Sequence, residues 1–304
     1  MNNRLYLSAL TSTLAVAAST AFGQHAGDIL LENINGQLTT GLINETTKIH
    51  DHRSFPSEFG EFFENFTDEP GFDSDIGEFT PGTNIGFNVL DAVRVWDGQN
   101  FDTMSPVTLT ISYSGFEVET GSGFVEGFAL PVNSNGEFHR HLNYVINDRA
   151  PTGVYLLQLQ LWSDAPELSP SEPFYIVFNQ EEDELIHDQA VEWVAVTLVP
   201  GIYFHDVNLE TGRRNEFTVV GATSGQRVYF VYGFQFGKTN IPGCPGVGMT
   251  IRRPTIMGSA IVDGSGAVTI SRFVPHGASG RTVLFGAVEQ GTCRVANIVE
   301  HTFP

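Results

Sequence analysis

The sequence predicts an all-β chain: two antiparallel β-sandwich domains, the second immunoglobulin-like, joined by a short helical linker. Three observations carry that expectation. Apolar and polar residues alternate over short runs, as in Val107-Thr108-Leu109-Thr110-Ile111-Ser112-Tyr113, the mark of a strand with one buried face. Gly, Pro and Asn turns separate these runs, and 32 of the 304 residues are Gly. The pattern breaks at Gln180–Val194, where acidic residues lead into a helical stretch, and restarts near Thr197.

Taken in order, the chain opens with Arg4 and an apolar stretch from Leu5 to Phe22, with small residues Ala21 and Gly23 suited to cleavage before Gln24. Residues 1–23 therefore read as a secretory signal. No later stretch reaches the roughly twenty apolar residues of a transmembrane helix. The mature chain is expected to be soluble, and secreted, periplasmic or associated with the cell surface. The length remaining exceeds what one small core usually takes, so two domains are expected.

The first, residues 24–179, begins with strands at Asp28–Leu31 and Gly36–Ile43 joined at Asn35-Gly36. Residues 45–82 are polar and acidic but carry Phe55, Phe59, Phe62, Phe63, Phe66, Phe72 and Phe79. No period persists there, so the segment reads as a long loop whose aromatics tuck onto the sandwich. Further strands follow, with Tyr155, Leu157, Leu159 and Leu161 on one side of one, and Phe174, Ile176 and Phe178 on one side of another. Residues 180–196 form the helical linker, because Glu181–Glu184 place acid where a helix N-terminus favours it. The second domain, 197–304, has strands at Phe217–Val220, Val228–Tyr232, Val268–Ile270 and Val283–Ala287. The only cysteines, Cys244 and Cys293, are expected to pair in an oxidising compartment, which stabilises that domain by roughly 4 kcal/mol in the chain-entropy model.

Charge divides the chain the same way. Residues 24–196 hold 5 Lys/Arg and 29 Asp/Glu, whereas residues 197–304 hold 9 and 6. The acidic half repels nucleic acid and anionic lipid and concentrates cations. It does not by itself make a binding site.

Histidines offer the most specific chemistry. In Phe138-His139-Arg140-His141-Leu142-Asn143-Tyr144-Val145, an extended chain places His139 and His141 on one face and Arg140, Leu142 and Tyr144 on the other. Two adjacent imidazoles can chelate zinc, copper or nickel. Further donors are expected from His25 and Asp28, with a carboxylate or His52, beside the Phe-rich segment, as a fourth ligand. His187 reads as the partner of a nearby carboxylate, and His205, His276 and His301 show no paired spacing. Asp68, Glu69, Asp73, Asp75 and Glu78 do not fit an EF-hand loop and read as a solvated acidic run.

The stretch Phe138–Tyr144, followed by Ala150-Pro151-Thr152-Gly153-Val154-Tyr155, resembles the signature of a family of bacterial surface-anchored β domains. That signature is a His-x-His-x-Asn-aromatic run followed by Pro-Gly-x-Tyr and an alternating strand. The opening Gln24-His25-Ala26-Gly27-Asp28-Ile29 is similar to the family's start, with one residue more between His25 and Asp28, and Thr152 interrupts Pro-Gly. The resemblance covers about residues 24–179. It implies zinc handling, as the family is associated with zinc-regulated genes and metal uptake.

The expected function is therefore extracytoplasmic binding of a transition metal, zinc, as a buffer, carrier or sensor that serves a metal-uptake component. The alternative is a non-catalytic surface or matrix module that binds polysaccharide or protein through exposed aromatics. No nucleophile elbow, zincin helix, phosphate loop or dinucleotide fingerprint occurs, so no enzyme is expected. A pair of glycosidase carboxylates has no fixed spacing and stays open among the acids.

Overall fold

The computed structural model describes residues 27–304 apart from 45, 61–62, 148–149, 200 and 206–208, and apart from the side chains of 44 and 205. The expected signal at 1–23 and His25 lie outside the described residues. The strands of the first half are β1 (Ile29–Ile34), β2 (Gln37–Asn44), β3 (Thr47–His50), β4 (Ser54–Glu58), β5 (Phe66–Thr67), β6 (Phe72–Asp73), β7 (Asn84–Val89), β8 (Arg94–Val95), β9 (Thr103–Met104), β10 (Leu109–Tyr113), β11 (Phe116–Glu119), β12 (Val125–Pro131), β13 (Asn143–Ile146), β14 (Gly153–Ser163) and β15 (Phe174–Gln180). Helix α1 (Glu184–Thr197) follows. The second half contains β16 (Tyr203–His205), β17 (Arg213–Val220), β18 (Arg227–Gly233), β19 (Phe236–Asn240), β20 (Gly248–Ile251), β21 (Thr255–Ile261), β22 (Val268–Val274), β23 (Thr282–Glu289), β24 (Arg294–Val295) and β25 (Val299–Thr302).

The fold is all-β with one α-helix among the described residues. β1 and β2 form a hairpin with Ile34 opposite Gln37, and both turn residues, Asn35 and Gly36, adopt the left-handed conformation a two-residue hairpin demands. β12, β7, β14, β15 and β4 make one sheet and β11, β10, β13 and β5 another. Between them and the β1–β2 hairpin lies a core that includes Phe55, Phe87, Leu109, Ile111, Tyr144, Leu157, Phe174 and Phe178. The other face of β14 and β15 carries Val154, Leu156, Tyr175 and Val177, covered by Ala190 and Val194 of α1. Burial on both faces explains why β15 reads as a continuous apolar run rather than an alternating one. The helix is therefore a packed layer of the first half.

Residues 45–82 depart from the loop expected there. They contain β3, β4, β5 and β6, two of them only two residues long, too short to show a period. Two pairings in this region are parallel, β6 with β1 and β4 with β15, within an otherwise antiparallel architecture. Phe55, Phe59, Phe72 and Phe79 are buried as expected, whereas Phe63 is exposed.

In the second half, β16, β17 and β22 form one sheet and β21, β18, β23 and β25 belong to another, and Phe217, Phe230, Val268, Phe285 and Phe303 pack between them. This is an antiparallel sandwich of the immunoglobulin-like kind. Cys244 and Cys293 are disulfide-bonded, with Cα atoms 5.5 Å apart. The bridge ties the loop after β19 to the turn after β23, beside a small outer core of Val231, Met249 and Ile251. It does not span the two sheets as in antibody domains.

The two halves share a sheet. β3 pairs with β25, with Ile49 opposite Val299, and Ile49 packs in the second core. The sheet runs β21-β18-β23-β25-β3-β2-β1-β6 and so crosses the boundary expected near residue 196.

Candidate metal centre

Two short segments converge on Asp28. It immediately precedes β1, and its own segment is pinned to the chain before β6, where Ile29 N–H donates to Gly71 C=O at 2.8 Å. Gly71 N–H returns the bond to Asp28 Oδ1 at 3.0 Å. β6 follows at once, pairs in parallel with β1 and delivers Asp73. On the far side of β6, Phe72 and Arg140 exchange two backbone hydrogen bonds, which fixes the His139–His141 segment against it. Phe138 N–H donates to Ser74 Oγ and anchors the same segment one residue earlier.

The expected alternation of side chains is present, although regular strand begins only at Asn143. The rings of His139 and His141 lie side by side, 5.2 Å apart. Arg140 turns away and donates to the carbonyls of His139 and Pro131 and to Asn133 Oδ1. Leu142 and Tyr144 enter the core.

Asp28 is completely buried, and its Oδ2 makes no hydrogen bond among the described residues. That oxygen lies 3.7 Å from His141 Nε2. The other ring nitrogen, Nδ1, is 3.3 Å from Asp68 C=O and 3.5 Å from Glu69 Oε1. A ring that donates Nδ1–H to a carbonyl presents the Nε2 lone pair, here toward Asp28. His139 Nδ1 is 3.2 Å from Asp73 Oδ1. Asp28, Glu69 and His141 form one convergent set of ligand atoms and Asp28, Asp73 and His139 another, each within 4.8 Å. Burial raises the pKa of the Glu69 carboxyl, and the Asp28 carboxylate beside it pushes in the same direction. Burial also raises Asp73, against the lowering effect of its bond to His139. Among the described residues, no Lys or Arg forms an ion pair with these three carboxylates.

Gly71 makes the close approach possible. A Cβ there would lie 2.7 Å from His141 Cε1 and 2.8 Å from Asp28 Oδ1. Asp28 thus forms a floor, with His141 and His139 more exposed toward solvent, which leaves a path of entry. Each set combines one imidazole nitrogen with two carboxylate oxygens, a mixture that suits zinc and neighbouring borderline divalent ions better than calcium, which takes oxygen alone.

Of the residues expected as ligands, Asp28, His139 and His141 come together. His52 does not join them: its Nε2 bonds Ser54 C=O and its ring packs edge-on against Phe55. The acidic run is not simply solvated, because Glu69 and Asp73 turn into the centre. Their spacing held the signal: Glu69, Gly71 and Asp73 alternate, so an extended chain presents all three on one face. The motif's second half is structural, since Tyr155 Oη donates back to Pro151 C=O at 2.7 Å, the geometry of a tyrosine corner. His301 is buried against Thr47 Oγ1, and burial lowers its pKa.

No family model and no curated protein matches this chain. Among solved structures, the chain is similar to the D00-D0 domain of Intimin, at 12% identity over 78% of this chain and 98% of that one, with a TM-score of 0.21. It is also similar to Salmonella alpha-2-macroglobulin reacted with methylamine, at 15% identity over 88% of this chain and 17% of that one, TM-score 0.21. A third likeness is to red sea bream transglutaminase, at 10% identity over 92% of this chain and 31% of that one, TM-score 0.17. The chain thus spans well under half the length of the latter two. Scores this low carry no inference about function.

Proposed function

We propose that this protein binds a divalent transition metal, zinc, outside the cytoplasm, and serves as a buffer, carrier or sensor of that ion. The observation that carries the reading is Asp28 Oδ2: a wholly buried carboxylate oxygen without a hydrogen bond, facing an imidazole nitrogen. A buried carboxylate oxygen left without a hydrogen bond is costly, and a cation held between it and the imidazoles removes that cost. His139, His141 and Asp28 are the proposed principal ligands, with Glu69 or Asp73 completing the set. His25, three residues before Asp28 in the sequence, is proposed as a further donor. The disulfide, and the lack of any helix long and apolar enough to cross a membrane among the described residues, agree with an extracytoplasmic site.

The alternative, a surface module that binds through exposed aromatics, draws less support because most described phenylalanines of the 45–82 segment are buried. Metal analysis of protein purified without an affinity tag or chelator tests the proposal. About one equivalent of zinc or more per wild-type chain is expected at this centre, and its loss in Asp28→Asn. Wild-type protein with no transition metal that also fails to take up added zinc would overturn it.

A further inference from the structure

A second cluster lies where helix α1 meets the sheet. Glu58 ends β4, while Glu184 and His187 stand one turn apart at the start of α1, on the same helix face. Their ligand atoms lie within 4.8 Å of one another. His187 is the informative member. Its ring is only 2% exposed, and Nε2 lies 2.9 Å from Val177 C=O. A carbonyl only accepts, so Nε2 carries a proton, and in the neutral ring Nδ1 offers a lone pair. Nδ1 faces Glu58 Oε1 at 4.0 Å, beyond hydrogen-bond distance. Two carboxyl groups and an imidazole nitrogen thus converge. Among the described residues, neither Glu58 nor Glu184 pairs with Lys or Arg. The adjacent Glu58 raises the Glu184 carboxyl pKa, first through a side-chain hydrogen bond between the two carboxyls and then through like-charge repulsion.

The helix start explains part of this. Its positive end favours Glu184, and Asp183 already caps Leu185 N–H. Neither effect accounts for a buried histidine whose protonated nitrogen is fixed on a carbonyl while the other faces two carboxylates. The same device orients histidines that ligate metals: a backbone acceptor sets the tautomer and the opposite nitrogen binds.

We propose that Glu58, Glu184 and His187 form a second divalent-cation site, separate from the Asp28 centre, that takes zinc or a similar borderline ion. One imidazole nitrogen and two carboxylates neutralise the charge of a divalent ion, and water fills the remaining position.

Zinc alone, titrated into full-length tag-free protein, is the probe, and Glu58→Gln/Glu184→Gln is the main variant. Both glutamates are solvent-accessible, so the change leaves the core intact. The wild type is expected to take up one zinc more per chain than this variant, or to bind the weaker equivalent more than about tenfold tighter. In wild-type protein, zinc should shift the His187 Nδ1 resonance while the Nε2–H signal persists. His139→Ala/His141→Ala should retain this site, which separates its fate from that of the Asp28 centre. Identical stoichiometry and affinity in wild type and the Gln pair would overturn the proposal. So would a His187 Nδ1 resonance unmoved by zinc, as expected for an imidazolium paired with Glu58.

Discussion

Asp28→Asn separates a ligand from a merely structural carboxylate. The substitution preserves shape and the acceptor for Gly71 N–H, but it replaces the unpartnered Oδ2 with an amide that can donate toward His141 Nε2, 3.7 Å away. A buried acceptor left unsatisfied costs about 1–3 kcal/mol, more when charged. The metal-free variant is therefore expected to be more stable than the metal-free wild type by about 1–3 kcal/mol. Zinc reverses the order. At a free concentration about 100 times Kd, binding stabilises the wild type by roughly 2.7 kcal/mol, and the variant gains nothing from this centre. For a unit of this size each kcal/mol moves the midpoint by about 2–4 °C, so the wild-type rise from this centre is about 5–10 °C. Differential scanning fluorimetry with chelator and with zinc reads both effects. If metal-free Asp28→Asn melts below the wild type, or if its zinc shift equals the wild-type shift, Asp28 is not held as a ligand.

Three other outcomes are expected. Gly71→Ala forces a Cβ to within 2.8 Å of His141 and Asp28, a displacement larger than the roughly 0.2 Å tolerance of metal–ligand distances, so zinc affinity falls while the protein still folds; unchanged affinity in the titration would contradict the geometry. Tyr155→Phe removes the bond to Pro151 C=O and costs about 0.5–1.5 kcal/mol in denaturant unfolding without changing zinc affinity, and a loss of zinc binding would show that the motif's second half is more than structural. Burial acts to lower the His50 pKa, but Glu300, 3.5 Å from Nε2, and Glu32, hydrogen-bonded to Nδ1, outweigh it and raise the value from 6.5 to about 9. Since the folded value lies above the unfolded one, its contribution is full below about pH 6.5 and disappears as pH rises through 9, up to roughly 3 kcal/mol. His50→Gln should flatten the urea midpoint across that window, and an unchanged pH slope would refute the assignment.

Much of the architecture was legible because its signals are local. Asn35-Gly36 between two apolar runs specifies the first hairpin, alternation specifies β10 and β14, and acid before Leu185 marks the start of α1. The chelating pair was legible for the same reason, since spacing of two in an extended chain puts His139 and His141 together and Arg140 apart. What escaped depends on contacts far apart in sequence. β6 is two residues long and has no period of its own; it is held by β1 and by Arg140. Without it, Glu69 and Asp73 look like any acids in an acidic run. The β3–β25 pairing joins residues about 250 positions apart and leaves no local trace. His52 misled because nearness in sequence to the aromatic segment says nothing of which way its ring turns; Ser54 and Phe55 hold it away.

The central claim is that His139 and His141, with Asp28 beneath them, hold zinc. Calorimetric titration of chelator-stripped, tag-free protein at neutral pH tests it most directly, with wild type compared against His139→Ala/His141→Ala. The wild type is expected to bind at this centre with Kd of about 1 μM or below, roughly −8 kcal/mol or more favourable. That signal should weaken in acid, because a protonated ring cannot ligate. The double variant should lose that equivalent and keep at most a separate one at Glu58, Glu184 and His187. Equal stoichiometry and affinity in the two proteins would mean that the acidic surface, not this centre, holds the ion, and would contradict the account.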